Sequence, residues 1–293
     1  MIWSVVLKSE MEGFGTVPVF RHYQEAIGKD NIKLAVVEEN DSLDFVKDDD
    51  IVLLRSANKA LIDTIKRKNV TSTAEDYHNY EYVKDKAVLP ITLETHGIRT
   101  PRQYEFKEVL DGHAYFVKPR FGSDSFGVSA HSLCLSKHFV SRQIWNIKDE
   151  LKQDAVIEDF IDGVDCTVAC WRDKYIIHTC AIEVECPETN GIQTRECKVG
   201  FKECCSALHD SNIEDIAQEV FELFKLKSHA RIDFRRGKDG LYYLIDVNLM
   251  PGLGPLDHFA KCLLLNRNMS YIDAIKAVIG SAKRQNYISR IST

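Results

Sequence analysis

The sequence predicts an α/β protein built in lobes, and three observations carry the prediction. Short β-branched runs alternate with helical stretches over residues 1–75. Beyond residue 114, strand-like runs follow one another closely. Near the end, two strands with charged residues on one side are joined by a glycine-containing turn. Strands separated by helices imply βαβ units and a parallel sheet, whereas strands in direct succession imply antiparallel pairing.

Taken in order, Trp3–Leu7, Ile32–Val37 and Ile51–Leu54 read as buried strands, with Val17–Ile27 and Ala57–Ile65 as helices around them. Glu38–Asp50 is acidic and polar and reads as surface. Ala74–Thr95 reads as one helix running to Gly97, bent or broken at Pro90. Strands are then expected at Ala114–Lys118, Val128–Ala130, Ala155–Phe160, Asp165–Trp171 and Tyr175–Val184. Ser211–Leu226 is an amphipathic helix, with Ile213, Ala217, Val220, Phe221 and Phe224 at helical spacing. Ser211 and Glu214 form a capping-box pattern at its start. The strands Ala230–Arg235 and Leu241–Val247 flank the turn Gly237-Lys238-Asp239-Gly240. A helix from about Pro255 has Leu256, Phe259, Ala260, Leu263 and Leu264 on one face, and a last helix starts near Ser270.

Composition excludes several classes. The net charge of −6 and the lack of a basic stripe argue against a nucleic-acid partner. No apolar run approaches the ~18 residues of a membrane span. The start, Met1 to Leu7, is too short for a signal-peptide core and lacks a basic leader, so a cytoplasmic protein is expected. The nine cysteines include no C-x-x-C pair, and they read as reduced, small apolar fillers.

Three segments carry chemistry. In the last hairpin, strand alternation puts Arg231, Asp233 and Arg235 on one face and Leu244, Asp246 and Asn248 on one face. Acid and amide oxygens converging at a strand end suit a hard cation such as magnesium, although a solvated sheet face gives the same pattern. In Phe116–Val128, Lys118 ends a strand and a loop with two glycines and two serines follows. Such a loop can curl backbone N–H groups around phosphate, or be a plain surface hairpin. In Val156–Val168, acids flank the tight turn Asp162-Gly163 and can meet a base and a ribose, or merely end a hairpin.

In order and spacing, these three segments resemble the ATP-grasp superfamily, and within it the D-alanine–D-alanine ligase-like branch, over residues 75–265. The resemblance implies three α/β lobes: an N-terminal parallel-sheet lobe (1–85), a central lobe (86–160) and a C-terminal lobe (161–293), with nucleotide between the last two. It implies that Lys86 and Lys118 contact the nucleotide and that Ser123, Ser125 and Gly127 belong to a loop over the phosphates. Glu158 would face the adenine, the backbone near Asp159 and Ile161 would read the base, and Asp165 would hold the ribose. Asp233, Asp246 and Asn248 would bind Mg2+, two ions in the family pattern, with Mn2+ as a substitute. Arg231 would stabilise a tetrahedral intermediate with help from the backbone of Gly252, and Lys198, or Arg195, would meet the γ-phosphate. The Ser123–Gly127 loop and the Cys186–Cys197 segment would be lids.

The implied reaction joins a small carboxylate to an amine through an acyl phosphate, releasing ADP and phosphate. A kinase on the same scaffold and a non-catalytic nucleotide-binding module are the alternatives. A homodimer through the N-terminal lobe follows by analogy only. The chain departs from the family where the substrates sit. The family pattern that holds the first amino group is absent, with Glu10 or Glu12 as candidates for that role, and Asp257 stands where a serine holds the second carboxylate. An aspartate there would favour a cation, so cell-wall dipeptide synthesis is not expected, and the acceptor is expected to be an amine, a diamine or an amino group within a larger metabolite. His258 reads as a helix-surface histidine.

Overall fold

The computed structural model describes residues 1–11, 16–122, 125–187, 191–194, 197 and 203–291. Three sheets follow one another along the chain. The first is parallel, with strands β1 (Ile2–Leu7), β2 (Ile32–Val37), β3 (Ile51–Leu54) and β4 (Thr71–Ser72) in the order β2-β1-β3-β4. Helix α1 (Thr16–Ile27) joins the first two strands and α2 (Lys59–Lys68) follows β3. Both faces are covered. Val52 and Leu54 pack with Leu61, Ile62 and Ile65 of α2, while Ile51 and Leu53 pack with Tyr23 and Ala26 of α1. A strand covered on both faces reads as a continuous apolar run.

The second sheet is antiparallel, ordered β5-β8-β6-β7, from β5 (Gln103–Tyr104), β6 (Tyr115–Pro119), β7 (Leu133–Cys134) and β8 (Ala155–Asp159). Helix α5 (Lys137–Leu151) lays Val140 and Ile147 on Val117 and Ile157. The third sheet, ordered β11-β10-β9-β12-β13, is also antiparallel. Its strands are β9 (Gly163–Asp173), β10 (Ile176–Glu185), β11 (Cys204–Leu208), β12 (His229–Gly237) and β13 (Tyr242–Asn248). Along β9, Cys166, Val168 and Cys170 pack towards α6 (Ser211–Leu223). Ala169 and Trp171 pack towards α7 (His258–Arg267) and α8 (Tyr271–Ile291). One core cluster runs from β1 to β13, and Ala274, Ile275 and Val278 of α8 also touch the side of the first sheet that faces α1. Among the described residues no helix is long and apolar enough to cross a membrane.

Several expectations are corrected. The stretch Ala74–Thr95 is two helices, α3 (Tyr77–Lys84) and α4 (Leu89–Thr95). The break falls at 85–88, before Pro90. The proline lies in the first turn of α4, where its missing N–H costs no helical bond. Val128–Ala130 is not a strand; the short pairing is at Leu133–Cys134. Helix α5 and edge strand β11 had no counterpart in the sequence reading. The signal for α5 was present, in Ser136, whose Oγ accepts the Phe139 N–H, and in the spacing of Val140, Gln143 and Ile147. Strand β11 reads Cys-Cys-Ser-Ala-Leu and is largely exposed, so it carries no apolar alternation. The N-cap of α6 is Asp210, which accepts the Asn212 N–H, while Glu214 instead accepts a hydrogen bond from Thr179 on β10. Helix α7 begins at His258, and Leu256 and Leu264 are exposed. Within Glu38–Asp50, Leu43, Val46 and Asp50 are buried, and Asp50 binds the N-terminal ammonium and Trp3 Nε1.

Candidate active site

Lys118 stands near the end of β6 with its Nζ 2.7 Å from Glu158 Oε1 on the adjacent β8. Both side chains are more than nine-tenths buried. A buried ammonium and carboxylate persist only as a pair. Lys86 lies in the break between α3 and α4, and its backbone is clamped there. Its N–H donates to Arg120 O at 3.1 Å and its carbonyl accepts from Gln103 Nε2 at 2.6 Å. Next to it, Arg120 grips Asp85 with two bonds of 2.7 and 2.6 Å, which hold that carboxyl below the usual carboxylate range. The Lys86 ammonium donates to Gly122 O at 2.5 Å and lies 3.8 Å from Asp246 Oδ1. Burial pushes Lys86 below the usual lysine range, and Asp246 opposes that shift.

Strand β12 supplies the opposing wall. Ile232 and Phe234 go to the core, while Arg231, Asp233 and Arg235 line the cavity. Arg231 Nε and Nη2 donate to the Asp233 carboxylate at 2.8–3.1 Å, and Thr167 Oγ1 donates to the same carboxylate at 2.9 Å. Arg235 Nη1 donates to Asp165 Oδ1 at 2.7 Å and to Gly191 O at 2.8 Å. Asp246 on β13 is the cross-strand partner of Asp233, and Asn248 is that of Arg231. The register shifts after Asp233, so Phe234 pairs with Leu244 and Ile245 is the extra residue of a bulge. Leu244 therefore joins the core beside Val247, and Ile245 lines the cavity. This corrects the simple alternation, which grouped Leu244 with Asp246 and Asn248.

One cavity between the second and third sheets collects Lys86, Lys118, Ser125, Glu158, Asp159, Ile161, Asp165, Arg231, Asp233 and Asp246. Phe116 and Phe160 add apolar wall, with ring centroids 6.4 Å apart and planes 30° apart. Four of its cations each face an acid: Lys118 with Glu158, Lys86 with Asp246, Arg231 with Asp233, and Arg235 with Asp165. Two carboxylates in direct register, with an amide two residues on, form a hard-oxygen donor set that fits Mg2+.

Other predicted residues make bonds of their own or lie elsewhere. Asp159 lines the cavity, but its carboxylate is already held by Tyr104 OH at 2.8 Å and His113 Nε2 at 2.7 Å. Gly127 is a packing position, because a Cβ there would meet Pro119 Cγ at 2.5 Å and Leu151 Cδ1 at 2.6 Å. Asn248 Oδ1 accepts the Met250 N–H at 3.0 Å. Gly252 and Asp257 do not line the cavity. Asp257 Oδ2 accepts the Gly254 N–H at 2.6 Å, which turns the carboxylate to its own loop and not into the cleft. The loop is in turn held by Arg55 Nη2, which donates to Pro251 O at 2.9 Å. His258, expected on a helix surface, is buried and bonds Glu203. Glu12, Ser123, Lys198 and its rival Arg195 lie outside the described residues, as do residues 188–190 and 195–196 of the expected Cys186–Cys197 lid. The nine cysteines are free thiols, seven of them buried, and burial pushes Cys134 up to about 11 and Cys166 up to about 12.

Arg235 and Thr167 belong to the site and were not singled out. The signal for Arg235 was its place on the Arg231–Asp233 face. For Thr167, which needs the β9–β12 register, there was none.

The protein has the ATP-grasp fold. D-alanine–D-alanine ligase from Bacillus anthracis, crystallised with ATP, superposes with a TM-score of 0.74 over 98% of this chain and 99% of that one, at 18% identity. The chain belongs to the family described as D-ala D-ala ligase C-terminus, whose sequence profile matches residues 90–280. Among curated relatives, protein y4sG of Sinorhizobium fredii is 27% identical over 218 residues, covering 69% of this chain and 63% of that protein. The D-alanine–D-alanine ligase of Aquifex aeolicus is 30% identical over 107 residues, covering 34% of this chain and 35% of that enzyme. The matched stretches thus span less than two thirds of these two relatives.

Proposed function

We propose that this protein is an ATP- and magnesium-dependent ligase that joins a carboxylate to an amine through an acyl phosphate, with ADP and phosphate released. The supporting observation is the cavity wall of four buried or half-buried ion pairs, each cation answered by one acid. An anionic nucleotide can take over the lysines, while a divalent cation takes over the aspartates. Family membership supports the same reading.

In this reading, Lys86 and Lys118 bind the phosphates, Glu158 and the backbone of 159–161 bind the base, and Asp165 binds the ribose. Ser125, with Ser123, closes over the phosphates, and Lys198 meets the γ-phosphate. Asp233, Asp246 and Asn248 would hold Mg2+, with Asn248 first exchanging its bond to Met250. The cation would neutralise phosphate charge and align the γ-phosphorus with the carboxylate. When the amine attacks the acyl phosphate, negative charge develops on one oxygen. Arg231, already oriented by Asp233, stabilises it. The apolar walls at Phe116 and Phe160 help exclude water that would hydrolyse the intermediate. We assign the lobes as 1–85, 86–160 and 161–293.

The test is incubation with Mg-ATP, a panel of amino acids and small amines, and hydroxylamine. ADP, phosphate and a carboxylate-dependent hydroxamate are expected. ADP with a stable phosphorylated product and no hydroxamate would replace the ligase by a kinase. AMP with pyrophosphate would overturn the assignment of the phosphate site.

A further inference from the structure

Away from the nucleotide cavity, three side chains of different chemistry converge at the edge of the third sheet. Glu203 immediately precedes β11, Cys205 is the second residue of β11, and His258 is the first residue of α7. Their ligand atoms all lie within 4.8 Å of one another. His258 Nε2 is 2.7 Å from Glu203 Oε2, and both side chains are more than nine-tenths buried. None of the three lines the nucleotide cavity. Cys205 pairs with Val184 in the β10–β11 ladder, so its place is fixed by backbone bonds. Burial holds the Cys205 thiol above its ordinary range, and Lys261, one turn into α7 with its Nζ 3.6 Å from Cys205 Sγ, opposes that shift.

We propose that Glu203, Cys205 and His258 form a site for a zinc-class divalent cation, separate from the magnesium site of the cleft. A thiolate, an imidazole and a carboxylate are the donors that borderline-soft ions take, whereas Mg2+ and Ca2+ prefer oxygen alone. Three protein ligands leave the fourth tetrahedral position to water. Donors bound to one zinc stand about 3.3 Å apart for N and O in tetrahedral geometry, so His258 and Glu203 part by roughly half an ångström as the cation replaces the proton between them, which leaves to solvent. Cys205 loses its thiol proton to solvent in the same event. The cation would pin the start of β11 to the N-terminus of α7, which follows the Gly252–Asp257 loop. It therefore acts on the segment that leads from the cleft, without touching the nucleotide.

The test uses the full chain, stripped of metal with a chelator and titrated with Co2+. A thiolate-to-cobalt charge-transfer band saturating at one equivalent is expected. Zn2+ should abolish the band, and a large excess of Mg2+ should leave it unchanged. Cys205→Ser should remove the band and Cys204→Ser should keep it. Glu203→Gln should weaken Co2+ binding by tenfold or more, which tests the cluster without altering a thiol. Far-ultraviolet circular dichroism and nucleotide binding of Cys205→Ser, both expected unchanged, separate loss of a ligand from loss of the fold. Absence of the band, its survival in Cys205→Ser, or its displacement by Mg2+ would overturn the proposal. Failure of the ligase assay would leave these readouts intact.

Discussion

In the first sheet, β3 reads Ile51-Val52-Leu53-Leu54 and every side chain is buried. In the third sheet, β12 carries the stretch Arg231-Ile232-Asp233-Phe234-Arg235, of which Ile232 and Phe234 join the apolar core. Both strands obey the same two-residue alternation. They differ in what covers the second face. Helices α1 and α2 close the two sides of β3. The charged row of β12 instead lines the cavity beside the second sheet. A closed face selects apolar side chains for burial. A face opposite a gap can carry charge, provided that each charge is paired until a ligand arrives.

Three substitutions sharpen that contrast. The largest expected effect on stability is at the closed face. Leu53→Ala should cost about 2–5 kcal/mol in denaturant unfolding, with turnover per folded molecule unchanged. A drop in turnover matching that of a cavity variant would dissolve the distinction. At the open face, Arg231→Lys keeps the charge and loses the fork on Asp233. Turnover of Mg-ATP with a productive substrate pair should fall about a hundredfold or more, with a thermal midpoint close to that of the parent. Near-parental turnover would remove Arg231 from the chemistry.

The smallest effect lies at a buried acid between these regions. Glu75 is fully buried and accepts the N–H groups of Lys227 and Ser228 at 2.8–3.0 Å. Burial raises its carboxyl to about 7, against the downward pull of those bonds. The folded state therefore holds this proton more tightly than the unfolded chain does. That contribution to stability is complete below the ordinary carboxyl range and is lost as pH rises through about 7. Glu75→Gln keeps an acceptor for the two N–H groups and cannot ionise. Its thermal midpoint should fall less than the parent's across that window. Parallel curves would mean that Glu75 does not titrate there.

Much of the site was legible because it lies on regular strands. Asp233 and Asp246 sit on a hairpin whose turn is written in Gly237–Gly240, so their approach follows from local pairing. Glu158 and Asp165 do not form the hairpin expected around Asp162-Gly163, because β8 and β9 belong to different sheets and do not pair. Legibility ended where position depends on remote backbone. The bulge at Ile245 returns Leu244 to the core, and no residue type announces it. Asp257 turns to Gly254 because its loop folds back on itself, so its charge does not address the cleft. His258 has a polar side chain at a helix start and reads as surface, yet β11 closes over it through Glu203 and Cys205.

By itself, the sequence determined the α/β class, the parallel first lobe, the charged hairpin and the family to which the chain belongs. Those features depend on periodicity and short-range order along the chain, which folding does not rearrange. Only the tertiary structure decided the ion-pair partners in the cavity, the split of α3 from α4 that presents Lys86, and the meeting of Glu203, Cys205 and His258. Lys86 and Asp246 are 160 positions apart, and His258 and Glu203 are 55 apart. Such contacts depend on how sheets and helices dock, and docking is set by the sum of many small packing terms that no single stretch of sequence displays.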